Sequence, residues 1–117
     1  MSQKTLIVDD DINLLQALER AFHEAGNDVV ACSTFTDARN MLRAHSFDSV
    51  VTDVRLGEFN GLQLAVVARD ANPGVRLIVF SGFDDPVLRA EAERLGASYV
   101  VKPVTSKHLL SLLEQPR

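Results

Sequence analysis

Five polar residues stand directly after apolar runs in this chain: Asp9 and Asp10 after Leu6-Ile7-Val8, Asp53 after Ser49-Val50-Val51-Thr52, Ser81 after Leu77-Ile78-Val79-Phe80, and Lys102 after Tyr99-Val100-Val101. An acid pair, an acid, a hydroxyl and an ammonium are complementary chemistry. Three carboxylates gathered in one crevice repel, and their pKa values rise unless a cation joins them. Oxygen-only donors suit a hard ion, Mg²⁺ or else Mn²⁺ or Ca²⁺. Lys102 offsets only part of the negative charge. A metal beside a lysine is how phosphoryl-transfer sites neutralise phosphoryl oxygens while a positioned nucleophile attacks. Cys32 ends a different run, and His23, His45 and His108 fall in or at the ends of helical stretches. A carboxylate nucleophile making an acyl phosphate is chemically reasonable.

Each residue alone has a plainer reading. Asp9-Asp10-Asp11 is also what a helix N-terminus looks like, where acids meet the positive end of the dipole. Asp53 alone is a turn residue, Ser81 before Gly82 a loop hydroxyl, and Lys102-Pro103 a strand stop. The joint pattern changes the odds: four strand ends carry matching chemistry, and the remaining one carries none.

The elements that position these groups are legible in order. Strands are expected over residues 4–8, 28–32, 48–53, 75–80 and 97–101, all short apolar runs. Between them lie helical patterns. Leu14, Leu15, Leu18, Ala21, Phe22 and Ala25 recur at three- and four-residue spacing over 12–25. Asp11 is the expected N-cap of that helix and Gly26 its stop. A second helix is expected over 34–44, capped by Thr36 or Ser33, and a third over 62–70, ended by Asn72-Pro73-Gly74. Residues 54–60 read as a loop. Asp84 or Asp85 caps a fourth helix with Pro86 in its first turn, running to Leu95. Thr105 or Ser106 caps a last helix to about Glu114. In that helix Leu109, Leu110, Leu112 and Leu113 are apolar on more than one face and read as core, with core plus a dimer surface as the alternative.

Alternation of apolar strands with helices implies an α/β fold, a parallel sheet covered on both faces. Right-handed crossovers then bring all strand C-termini to one edge, where such sheets bind their ligands. Asp9, Asp10, Asp53, Ser81 and Lys102 therefore converge if the first, third, fourth and fifth strands are neighbours.

With 117 residues, 46% of them hydrophobic and 24% charged, the chain supports one domain over residues 1–117. The net charge of −4 gives no general basic footprint for nucleic acid. A lone cysteine excludes an internal disulfide and fits a reducing compartment. No apolar stretch is long enough to span a bilayer. Met1 to Lys4 run straight into the first strand, leaving no room for a signal peptide. A cytoplasmic protein is the expectation.

The stretches Leu6-Ile7-Val8-Asp9-Asp10-Asp11, Val50-Val51-Thr52-Asp53-Val54-Arg55-Leu56, Val79-Phe80-Ser81-Gly82 and Tyr99-Val100-Val101-Lys102-Pro103 together resemble the receiver domain of two-component response regulators, over nearly the whole chain. The resemblance implies a flavodoxin-like fold, five parallel strands in the order 2-1-3-4-5. It implies that Asp53 accepts a phosphoryl group from a histidine kinase or histidine phosphotransfer protein. Asp9 and Asp10 match the acid pair that holds Mg²⁺, Asp10 the more directly, completed by Asp53 and the backbone carbonyl of Arg55. Lys102 matches the lysine that contacts a phosphoryl oxygen, and Ser81 the hydroxyl that turns toward it. Tyr99 matches the aromatic that rotates inward when that hydroxyl moves. Pro103 matches a residue commonly preceded by a cis peptide bond. The implied role is a signalling switch rather than a turnover enzyme, read out on the face of the fourth helix, fifth strand and fifth helix.

The chain departs from the family pattern in two places. Gly57 stands where a proline is common, and Arg55 puts a long cation beside the acceptor. An aspartate-nucleophile phosphatase needs a second acid where Arg55 stands. A flavodoxin needs a phosphate loop where the acidic run stands. The serious alternative is a pseudo-receiver, a protein-interaction module that needs no phosphorylation. Expected partners are the phosphodonor, an output partner or an output domain outside this chain, and a homodimer formed on phosphorylation. No membrane or direct nucleic-acid partner is expected.

Overall fold

The structure, a computed structural model, describes residues 3–115. Strands β1 (Lys4–Val8), β2 (Asp28–Cys32), β3 (Ser49–Asp53), β6 (Arg76–Ser81) and β7 (Ala97–Val101) form one parallel sheet. A separate short hairpin pairs β4 (Arg55–Leu56) with β5 (Phe59–Asn60). The sheet order is β2-β1-β3-β6-β7, which is 2-1-3-4-5 counted within the sheet. This is the flavodoxin-like fold that the resemblance implied.

The strands carry apolar side chains on both faces because both faces are covered. Leu6, Val8, Val50, Leu77 and Val79 point to one side and pack with helices α2 (Phe35–Ala44), α3 (Gly61–Ala71) and α4 (Pro86–Arg94). Ile7, Val51, Ile78 and Phe80 point to the other, against α1 (Ile12–Glu24) and α5 (Ser106–Glu114). Period-two alternation thus survives inside continuous apolar runs as an alternation between two cores. Each fully buried Leu, Ile or Phe contributes about 1.5–3 kcal/mol relative to exposure. On α5, Leu109 and Leu113 are buried, while Leu110 and Leu112 are half-buried on the same cluster, so the run reads as core.

Most helix ends follow the expected chemistry. Asp11 caps α1, Asp85 caps α4 with Pro86 in its first turn, and Thr105 caps α5. The second helix is capped by neither Ser33 nor Thr36. Thr34, with extended backbone, accepts the Asp37 N–H at 3.2 Å. Ser33-Thr34-Phe35-Thr36 offers three hydroxyls, and only the backbone path decides which one faces the open N–H groups.

The stretch expected as a loop, residues 54–60, is partly ordered as the β4–β5 hairpin. Two residues per strand are too few to show periodicity. The turn is instead marked by Gly57, whose φ of 62° is a left-handed value open to glycine. Phe59 of the hairpin stacks on Phe35 of α2, ring centroids 4.6 Å apart.

Candidate phosphoacceptor and metal site

The parallel register brings the strand ends together. Val8 pairs with Thr52, Asp53 with Phe80, and Ser81 with Val101, so the residues just beyond them share one edge. Carboxylate oxygens of Asp9, Asp10 and Asp53 lie within 4.8 Å of one another. At that spacing each pair of like charges costs about 3 kcal/mol at an effective dielectric near 20. The backbone pins the acids despite this repulsion. Asp9 accepts the Asp11 N–H at 2.9 Å, Asp53 the Arg55 N–H at 3.2 Å, and Asp10 the Gly57 N–H at 3.3 Å. Gly57, the residue standing in for the family's proline, therefore supplies a hydrogen bond that proline has no N–H to make.

Lys102 completes the crevice. Its Nζ lies 2.9 Å from Asp53 Oδ2 and 3.5 Å from Asp9 Oδ2, and 5.1 Å from the centre of the Phe80 ring. Burial disfavours the charge on this amine, but the hydrogen bond and charge of Asp53, then those of Asp9, outweigh it and raise its pKa. Asp9 goes the other way for an acid. Its burial, reinforced by the charge of Asp53, pushes its pKa up to about 6 against the pull of the Asp11 N–H and Lys102. The two directions agree with the distances: the ammonium sits closer to Asp53 and leaves Asp9 the less compensated. A crevice of carboxylate oxygens with one ammonium, still net negative, fits a hard divalent cation on donor chemistry alone.

Ser81 is buried and its Oγ accepts the Phe83 N–H at 3.2 Å. Tyr99 is 8% exposed and its hydroxyl donates to the Phe83 carbonyl at 2.7 Å; the ring is already inward. The Lys102–Pro103 bond is cis. Arg55 is exposed, with its guanidinium 5.3 Å from the centre of the Phe83 ring. Its N–H donates to Asp53, and it pairs with Asn60 across the β4–β5 hairpin. Cys32 is buried at the end of the edge strand β2, and its carbonyl accepts the Asp9 N–H at 3.2 Å.

The geometry also assigns a structural part to Gly61. A Cβ there would collide with the Asp53 carbonyl oxygen and meet Thr52 Oγ1 at 3.0 Å, while the Gly61 N–H donates to the Val54 carbonyl at 2.6 Å. The first residue of α3 rests on the Asp53 backbone, and only glycine fits. The Phe83 carbonyl and Arg89 at Tyr99 carry no sequence signal.

The family model for the response regulator receiver domain matches residues 5–114. The chain belongs to that family. It is 31% identical over 114 residues to the transcriptional regulatory protein ZraR of Escherichia coli, an alignment covering 94% of this chain and 25% of ZraR. The chain thus spans about a quarter of the length of that relative. A response regulator receiver protein from Sinorhizobium medicae superposes with a TM-score of 0.89 at 31% identity, covering 97% of this chain and 93% of the other. A response regulator from Burkholderia pseudomallei, solved with a phosphorylated aspartic acid, a calcium ion and citrate, gives 0.89 at 25% identity, covering 97% and 68%. The receiver's fold thus agrees with that of its relatives. Among its described residues, no helix is long and apolar enough to cross a membrane.

Proposed function

We propose that this receiver takes a phosphoryl group onto Asp53 from the phosphohistidine of a histidine kinase or phosphotransfer protein, in a Mg²⁺-dependent step, as a cytoplasmic signalling switch. A bond forms between a carboxylate oxygen of Asp53 and phosphorus as the phosphorus–nitrogen bond breaks, and the electron pair stays on the imidazole. Asp9, Asp10, Asp53 and the Arg55 carbonyl would hold Mg²⁺, or Mn²⁺, which when bound neutralises phosphoryl oxygens. The observation that carries the reading is the oxygen cluster of Asp9, Asp10 and Asp53 with Lys102 hydrogen-bonded to the acceptor.

The chain's own groups account for the switch. Lys102 trades the Asp53 carboxylate for a phosphoryl oxygen. The Ser81 hydroxyl keeps its lone pair on the Phe83 N–H and offers its proton to the new group, which brings about two negative charges. Phe83 and Tyr99 follow Ser81, and the face of α4, β7 and α5 carries the change to an output partner, an output domain in a longer chain, or a second copy. Only contacts that differ between the two states move this equilibrium.

One observation favours the alternative, a pseudo-receiver that presents this face without phosphorylation. Tyr99 is inward while Lys102 is still paired with Asp53.

Intact-protein mass after incubation with acetyl phosphate separates the two. The expected result is one phosphoryl adduct that needs Mg²⁺, is alkali-labile and is absent from Asp53→Asn. A folded chain that takes no adduct from acetyl phosphate or from a phosphohistidine donor would leave the pseudo-receiver.

A further inference from the structure

Tyr99 is gripped from two sides. Its hydroxyl donates to the Phe83 carbonyl at 2.7 Å, and the Phe83 N–H donates to Ser81 Oγ at 3.2 Å. From outside, Arg89 of α4 lays its guanidinium on the tyrosine ring, Cζ 4.8 Å from the centroid. Asp84 holds that guanidinium in turn, its Oδ1 accepting from Nε at 3.2 Å and Nη2 at 2.8 Å. A planar guanidinium can stack on a ring and be hydrogen-bonded at its edge at once, which an ammonium cannot copy. All of this stands while Asp53 is a carboxylate paired with Lys102.

We infer that Arg89, oriented by Asp84, is a positioning residue that clasps Tyr99 inward in the unmodified domain. The resting state of the α4-β7-α5 face is then set from α4 as well as from Ser81. An outward Tyr99 would give up both the Phe83 carbonyl and the cation. A solvent-exposed cation on an aromatic face contributes enough to bias the two positions by about two- to five-fold. The Arg89 and Asp84 side chains are 38% and 69% exposed, so salt weakens the clasp. The inference rests on the switch assigned to Ser81 and Tyr99 above, but its readout needs no adduct, so its failure is separable from a failure of phosphoryl acceptance.

Tyr99 is the single tyrosine and the chain has no tryptophan, so intrinsic fluorescence of the full chain reports on this one ring. Acrylamide quenching of the parent is compared with Arg89→Met, which keeps the apolar stem but loses the charge, with Arg89→Lys, and with Asp84→Asn at the exposed partner. The expected result is a rise of about two- to five-fold in the outward-to-inward ratio for Arg89→Met, a smaller rise for Asp84→Asn, and partial rescue by Arg89→Lys. In about 1 M salt the parent should move toward Arg89→Met, and Arg89→Met itself should not move. Unchanged quenching in Arg89→Met and Asp84→Asn, or a parent that does not respond to salt, overturns the clasp.

Discussion

Two ion-paired sites, the crevice around Lys102 and the rim at Arg89, differ in how deeply their charges are buried. In the crevice, Lys102 meets Asp53 and Asp9, whose side chains are 9% and 0% exposed. On the rim, Arg89 meets Asp84 in water. Buried charges need their partners, because removing one leaves the other desolvated and uncompensated. Exposed charges are screened and exchange readily with solvent. The crevice is therefore a fixed device: excess negative charge held by backbone N–H groups and only partly answered by one lysine. The rim is an adjustable one, where a weak pair shifts a population without deciding whether the domain folds. In the proposed switch, phosphoryl chemistry would sit on the first and its readout on the second.

The largest expected break in this contrast is Gly61→Ala. The added methyl collides with the Asp53 backbone, so stability should fall by about 1–3 kcal/mol. Adduct formation should drop sharply although Gly61 touches no phosphoryl oxygen. Thermal unfolding beside adduct mass tests this; a variant with parent-like stability and adduct yield would show that α3 does not rest on the acceptor as described.

Next in size is the proton linkage of Asp9. Its folded pKa is raised from 3.8 to about 6, so the folded state binds this proton more tightly than the unfolded chain. Stability from this group is present below about pH 3.8, is lost as pH rises toward 6, and stays lost above. Asp9→Asn should therefore stabilise the metal-free protein at pH 8 by about 1–3 kcal/mol, with little change at pH 4. It should also weaken Mg²⁺ binding. In the parent, Mg²⁺ should raise the unfolding midpoint more at pH 8 than at pH 5, because protons compete for the same oxygens. Equal Mg²⁺ shifts at both pH values would mean that Asp9 is not part of the metal set.

The smallest effect sharpens the link between the two regions. Ser81→Ala removes the acceptor for the Phe83 N–H, a loss of about 1 kcal/mol. The adduct should still form, while the change in Tyr99 fluorescence on forming it should shrink. Equal loss of adduct and of fluorescence response would count against Ser81 as the connection.

Much of this was legible in the chain itself. Apolar runs such as Leu6-Ile7-Val8 and Leu77-Ile78-Val79-Phe80, alternating with helical patterns, point to buried parallel strands, because a sheet covered on both faces buries every residue of a short run. Asp11, Asp85 and Thr105 announce helix starts because a short side-chain oxygen is what an open N–H needs. The polar residues after those runs identify the crevice, since parallel strands joined by right-handed crossovers end on one edge.

Tertiary structure decided the rest. The β4–β5 hairpin is too short for any period, and Thr34 rather than Ser33 or Thr36 caps α2 because the backbone path selects among adjacent hydroxyls. The raised pKa of Asp9 depends on how deeply that carboxylate is buried relative to Asp53, which no spacing encodes. The aromatic at Tyr99 is legible in the sequence, but its inward position depends on a backbone carbonyl at Phe83 and a cation on α4. Sequence records what each strand end carries. Only the folded chain sets which of those groups are buried with one charge too many and which meet a partner in water, because burial and distance are properties of the packed elements together.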